Sequence, residues 1–94
     1  MKIEFDSTKN ARNFDKHGLW FEDTHALDWD TAIFKLDARK DYGEERFVAY
    51  VLKGTRLYAV CFTERGAFTR ILSYRKANKR EELYYAEETQ KTTD

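Results

Sequence analysis

Arg65, Arg70, Arg75, Lys76, Lys79 and Arg80 crowd into one short stretch of a chain whose formal net charge is zero. Between Lys53 and Arg80 there are eight basic residues and a single acid, Glu64, so the balancing carboxylates lie elsewhere. Cations gathered in this way suit phosphate. Arginine suits it best, because its planar fork grips two phosphate oxygens and stays protonated at any cellular pH. The competing reading is a solvated sheet face. Arg65 falls in the turn sequence ERGA and Arg75 just ahead of the last predicted helix, so both are expected to reach a common edge of the sheet from loops. An RNA backbone held there would meet cations able to stabilise the added negative charge of a pentacoordinate phosphorus. Glu45 or Glu64 could then act as base for the 2′-hydroxyl. Glu45 is equally readable as a surface partner of Arg46 or Lys53.

Other chemistries have less to build on. His17 and His25 are the only histidines, Cys61 is the only cysteine, and no HExxH or carboxylate-loop spacing occurs, so neither a metal nor another cofactor is expected. Asp28 and Asp30 read as turn chemistry. There is no Gly-rich phosphate loop and no GxSxG, and Ser73 has no histidine partner in sequence. His17, in the sequence KHG, reads as the cationic end of a helix rather than as an acid or base.

The elements that must position these residues follow from periodicity. Lys2 to Phe5 can form a short strand. A helix capped by Ser7 should run to His17, bury Ala11 and Phe14, and stop at Gly18. A second short helix is predicted over Phe21 to Asp28. Strands are predicted at Ala32–Asp37, Arg46–Lys53, Leu57–Glu64 and Ala67–Tyr74, separated by turns at DYGEE, KGTR and ERGA. Asn78 and Glu81 have capping-box spacing, so a last helix should begin there and run to about Glu88, turning Leu83, Tyr84 and Ala86 to the sheet. The predicted class is α+β: an antiparallel meander with two N-terminal helices and one C-terminal helix. Strict alternation over Ala67–Tyr74 puts Arg70 and Tyr74 on one face and Ser73 and Arg75 on the other. The basic side chains therefore share a face only if a bulge or the strand end re-aims them.

Ninety-four residues without a Pro-rich or low-complexity break suit one domain, 1–94, with residues 89–94 as a frayed tail. Seven Phe, six Tyr and two Trp predict an aromatic-rich core. The lone Cys61, in an apolar run, reads as a small buried thiol in a reducing compartment. Neither a signal peptide nor a membrane span is evident, so a cytoplasmic protein with no membrane partner is expected.

Four runs in order resemble the BrnT family of bacterial type II toxins. The first is Lys9, Asn13, Lys16, His17, Gly18, Phe21 and Glu22, and the second Gly43, Glu44, Glu45, Arg46 and Phe47. The third is Phe62 to Gly66 and the fourth Arg70 to Glu81. Two positions depart from the pattern: Asp6, where many relatives carry Trp, and Asn10, where many carry Ala. The resemblance implies a RelE-like fold and a ribonuclease that arrests translation. It also implies neutralisation by a BrnA-like antitoxin with a ribbon-helix-helix DNA-binding part. A heterotetramer would then contact operator DNA through the antitoxin. Arg65 and Arg75 would stand at the active centre with Glu45 as base. Arg46 and Arg70 would bind RNA beside them, and Lys76, Lys79 and Arg80 would flank the site or meet the partner.

Two rivals remain in the sequence. In one, the basic edge is only the seat of an acidic antitoxin segment, without turnover. In the other the chain binds DNA directly; this is weakened by the absence of helix-turn-helix spacing and by the acids Glu81, Glu82, Glu87 and Glu88 in the last helix.

Overall fold

The computed structural model describes residues 1–91, in the order β1 (Ile3–Glu4), α1 (Ser7–His17), a 3-10 helix (Phe21–Ala26), β2 (Asp28–Asp37), β3 (Arg46–Lys53), β4 (Arg56–Arg65), β5 (Phe68–Lys76) and α2 (Lys79–Lys91). The class is α+β, and one sheet runs β1-β5-β4-β3-β2. Strands β2 to β5 form the expected antiparallel meander. The sheet as a whole is mixed, because β1 returns to pair parallel with β5, Ile3 beside Thr69 and Glu4 beside Arg70. The predicted second helix is a single short 3-10 segment. Residues 89–91, expected in a frayed tail, continue α2; residues 92–94 lie outside those described.

Helix α1 starts one residue earlier than expected at its cap. Asp6, not Ser7, is in the extended conformation and accepts hydrogen bonds from the backbone N–H groups of Thr8 (2.8 Å) and Lys9 (3.0 Å). Those two bonds, the Lys9 contact first, hold the Asp6 carboxyl below its usual range. Gly18 closes the helix at φ 74°, with its N–H on the Phe14 carbonyl at 2.7 Å.

The buried stripe of α1 is not Ala11 and Phe14 but Asn10 and Asn13, while Phe14 stays partly exposed and stacks on Trp20 at 4.1 Å. The reason is hydrogen bonding. Asn10 accepts from the Phe21 N–H (2.8 Å) and donates to Glu22 (2.8 Å). Asn13 donates to the Leu19 and Tyr74 carbonyls at 2.9 and 2.8 Å and accepts from the Tyr74 N–H at 3.1 Å. Strand β1 pairs only with Thr69 and Arg70. Beyond it, the Asn13 carboxamide serves the Tyr74 backbone as a neighbouring strand would.

The two sheet faces have separate cores. On the α1 face Ala49, Val51, Val60, Phe62, Ile71 and Tyr74 pack with Phe21 and Leu27. On the other, Tyr50, Leu57 and Ala59 meet Tyr84 and Tyr85 of α2. Leu83 and Ala86 face solvent instead of the sheet. Glu81, Tyr84, Tyr85 and Glu88, at helical spacing, form the inward stripe, and the Tyr85 hydroxyl donates to the Thr31 carbonyl at 2.6 Å.

Candidate active site

One irregularity decides where the arginines point. Between β4 and β5 the register shifts: Cys61 lies opposite Ser73 and Phe62 opposite Ile71, which leaves Leu72 without a partner. This β-bulge inserts one residue into the alternation. Arg70 and Arg75 therefore come to the same face, the one carrying α2. Side chains alternate along each strand, so Arg65 of β4 and Arg46 of β3 share that face. Side by side across the sheet stand Glu4, Arg70, Thr63, Arg46 and Asp37. Ser73, Cys61, Val48 and Lys35 form the next row, then Arg75, Ala59, Tyr50 and Ile33. Helix α2 packs on the last of these rows, where Tyr84 and Tyr85 meet Tyr50 and Ala59, and Tyr84 also lies 5.0 Å from Lys35 Nζ in the row beside it.

Arg65 and Arg75 do not meet at one edge. Arg65 lies opposite Phe68 at the end of β4, whereas Arg75 lies opposite Ala59, inside β5 rather than in a loop. Six residues of extended chain separate the two positions, roughly 20 Å at 3.3 Å per residue. They sit at opposite ends of the charged face, with Arg46 and Arg70 between them.

Every one of these arginines lies beside a carboxylate, with three carboxylates serving the four. Arg70 donates to Glu4 at 3.0 Å. Glu44 serves two arginines, lying 3.3 Å from Arg65 and 3.4 Å from Arg46 Nε. Arg46 Nε is buried and too poorly aligned with Glu44 to hydrogen-bond, but its guanidinium stacks 4.0 Å above the Tyr42 ring. The Glu45 side chain is exposed, and it is its backbone carbonyl that accepts from the Thr63 hydroxyl at 2.6 Å. Arg75 donates end-on to both oxygens of Glu81, at 2.7 and 2.9 Å. That pairing raises the Arg75 pKa and lowers that of Glu81.

Around Arg75 opens a cleft of about 700 Å³, lined by Lys35, Arg39, Tyr50, Arg80 and Tyr84 among others. Its far wall is fixed by Asp37, whose buried carboxylate takes both a Nε and a Nη bond from Arg39 (2.8 and 2.9 Å) and one from Tyr42. Arg39 is the chief cause of an Asp37 pKa lowered to about 2. Arg80 lines this cleft; Lys76 and Lys79 are exposed and do not.

The residues missed from sequence are Glu81, Tyr50, Lys35 and Arg39. Glu81 was visible only as half of a capping box, which does exist: Asn78 N–H donates to Glu81, and Glu81 N–H to Asn78, both at 2.9 Å. His17 is half-buried, and burial more than the nearby Lys16 and Arg75 lowers its pKa, which fits a neutral structural residue. Cys61 is free and half-buried on the charged face, with burial pushing its thiol up. No group of three or more His, Cys, Asp or Glu that could hold a metal exists among the described residues, nor any helix long and apolar enough to cross a membrane.

Comparison with curated proteins finds no match. Residues 5–81 match a family model described as "Ribonuclease toxin, BrnT, of type II toxin-antitoxin system". That span takes in α1, the bulge and all four arginines of the charged face, together with Glu44, Glu45 and Glu81. The chain belongs to the BrnT family of ribonuclease toxins of type II toxin-antitoxin systems.

Proposed function

We propose that this chain is a metal-independent endoribonuclease of RelE-like architecture that arrests translation by cutting RNA in the cytoplasm. The observation that carries the reading is the bulge at Leu72, which brings Arg70 and Arg75 to the one face that Arg46 and Arg65 already share. An RNA strand lies along that face, and the arginines grip successive phosphates rather than clamping one, because the outer two stand roughly 20 Å apart. The 2′-hydroxyl loses its proton to a carboxylate and attacks the adjacent phosphorus. The bond to the 5′-oxygen breaks, that oxygen takes a proton from water, and a 2′,3′-cyclic phosphate remains. Guanidinium groups stabilise the charge that grows on the phosphoryl oxygens. Glu45 is the base in this scheme: Glu44 is held between two arginines, whereas the Glu45 carboxylate is exposed. Arg80, Lys79 and Lys76 hold the strand beyond Arg75.

The protein partner in this reading is a BrnA-like antitoxin, with operator DNA contacted through a toxin–antitoxin heterotetramer. Expression of the chain alone should stop growth, and the purified protein should cleave RNA in excess EDTA. Arg75→Ala or Arg65→Ala should restore growth while the protein still folds. Intact RNA and normal growth at a verified high level of soluble protein would sink the proposal.

A second reading has its own support. Because each arginine already accommodates a carboxylate of this chain, the face also fits an acidic antitoxin segment without any turnover. Salt-sensitive complex formation with no RNA loss would favour it.

A further inference from the structure

Glu81 is held by donors from three residues, against two for Asp37 on the same face. Besides the two Arg75 Nη groups it accepts from the Tyr50 hydroxyl at 3.2 Å and from the Asn78 N–H at 2.9 Å. Its side chain is 13% exposed, against 34% for Arg75. A residue needed only to cap α2 requires the Asn78 exchange alone. The remaining donors come from β3 and β5, so Glu81 ties the start of α2 to two strands at the point where the cleft opens.

An arginine fork has two edges. Glu81 takes the Nη1–Nη2 edge, and among the described residues Arg75 Nε donates to nothing. The plane of the guanidinium is thus fixed while its second edge stays available to a phosphate.

We propose that Glu81 is a positioning residue for the reaction: it orients Arg75 toward the phosphate, and the buried Tyr50 steadies the carboxylate that does so. This rests on the ribonuclease reading above. The opposite role, a carboxylate that occupies Arg75 until RNA displaces it, predicts the opposite sign on mutation.

The test uses the full chain, steady-state cleavage of a single-stranded RNA oligonucleotide, and ¹⁵N NMR of the Arg75 side chain. Glu81→Gln keeps a capping-box residue, and thermal unfolding verifies that each variant folds. Glu81→Gln should lower kcat on the order of tenfold with KM unchanged, as expected when a reacting group is misplaced rather than lost. The separate Arg75 Nη signals of the wild type should merge in the variant. Tyr50→Phe, which leaves the cap untouched, should lower kcat a few-fold in the same direction. A Glu81→Gln protein that cleaves as fast as the wild type or faster, or whose Arg75 is equally fixed, overturns the inference. A folded wild-type chain that leaves the RNA intact instead removes the ribonuclease reading, and this inference with it.

Discussion

On the α1 face the polar side chains that go inside are neutral and fully used, Asn10 and Asn13 bonding backbone that would otherwise be orphaned. On the α2 face the four arginines are charged and partly exposed, each paired with a carboxylate that a phosphate could replace. The difference follows from desolvation. A carboxamide can be buried once its hydrogen bonds are made, whereas a guanidinium keeps its water unless its partner is ideal. Half-exposed ion pairs contribute only ~0–1 kcal/mol each. The first face therefore holds the fold, and the second is free to exchange partners.

The largest effect should come from swapping residues between the faces. The double exchange Tyr74→Arg and Arg75→Tyr puts a guanidinium into the α1-side core beside Val60 and should abolish the cooperative unfolding transition seen by circular dichroism. An exchanged protein that melts like the wild type would show that the bulge does not set the faces.

Asn13→Ala is next. It strands the Tyr74 N–H and two carbonyls, at about 1–3 kcal/mol for each buried unsatisfied group, so urea unfolding should show a loss of at least ~3 kcal/mol. The contrast between the faces weakens if the loss is under 1 kcal/mol.

Asp37 offers a pH test on the charged side. Its carboxyl lies at about 2, below the ordinary 3.8, so it contributes stability that is complete above about pH 4 and lost as pH falls toward 2. Arg39 is largely solvent-exposed, which reduces the contribution to about 1 kcal/mol. Asp37→Asn should flatten that acid limb in a stability–pH series; an unchanged limb would assign it elsewhere. The smallest effect on stability belongs to Arg70→Ala, within ~1 kcal/mol by thermal melt, even though RNA cleavage falls.

Much of this was legible because it is local. The strand cores, the turns and the Asn78–Glu81 box each announce themselves within a few residues. Lost were the features set by distant chain. Nothing near Leu72 marks a bulge, since the extra residue is defined by its missing partner on β4. Helix α1 looked amphipathic through Ala11 and Phe14, because only Tyr74, 61 positions away, explains why Asn13 is inside. The arginines of the charged face were found by charge, but their spread along the face depends on register, and Glu81 was hidden in its capping role.

The parallel return of β1 also governs how the molecule is completed. Glu4 and Arg70 are 66 positions apart, and the Thr69 N–H bonds the Lys2 carbonyl at 2.8 Å. Such closure comes late, because loop entropy must be overcome before the contact is rewarded. Pulsed hydrogen exchange should find the Thr69 amide protected after those of β3 and β4. A chain still being synthesised offers Ile3 and Glu4 no strand to join until residues 69 and 70 have appeared. The ribosome thus makes most of this protein before its arginine-bearing face can be finished.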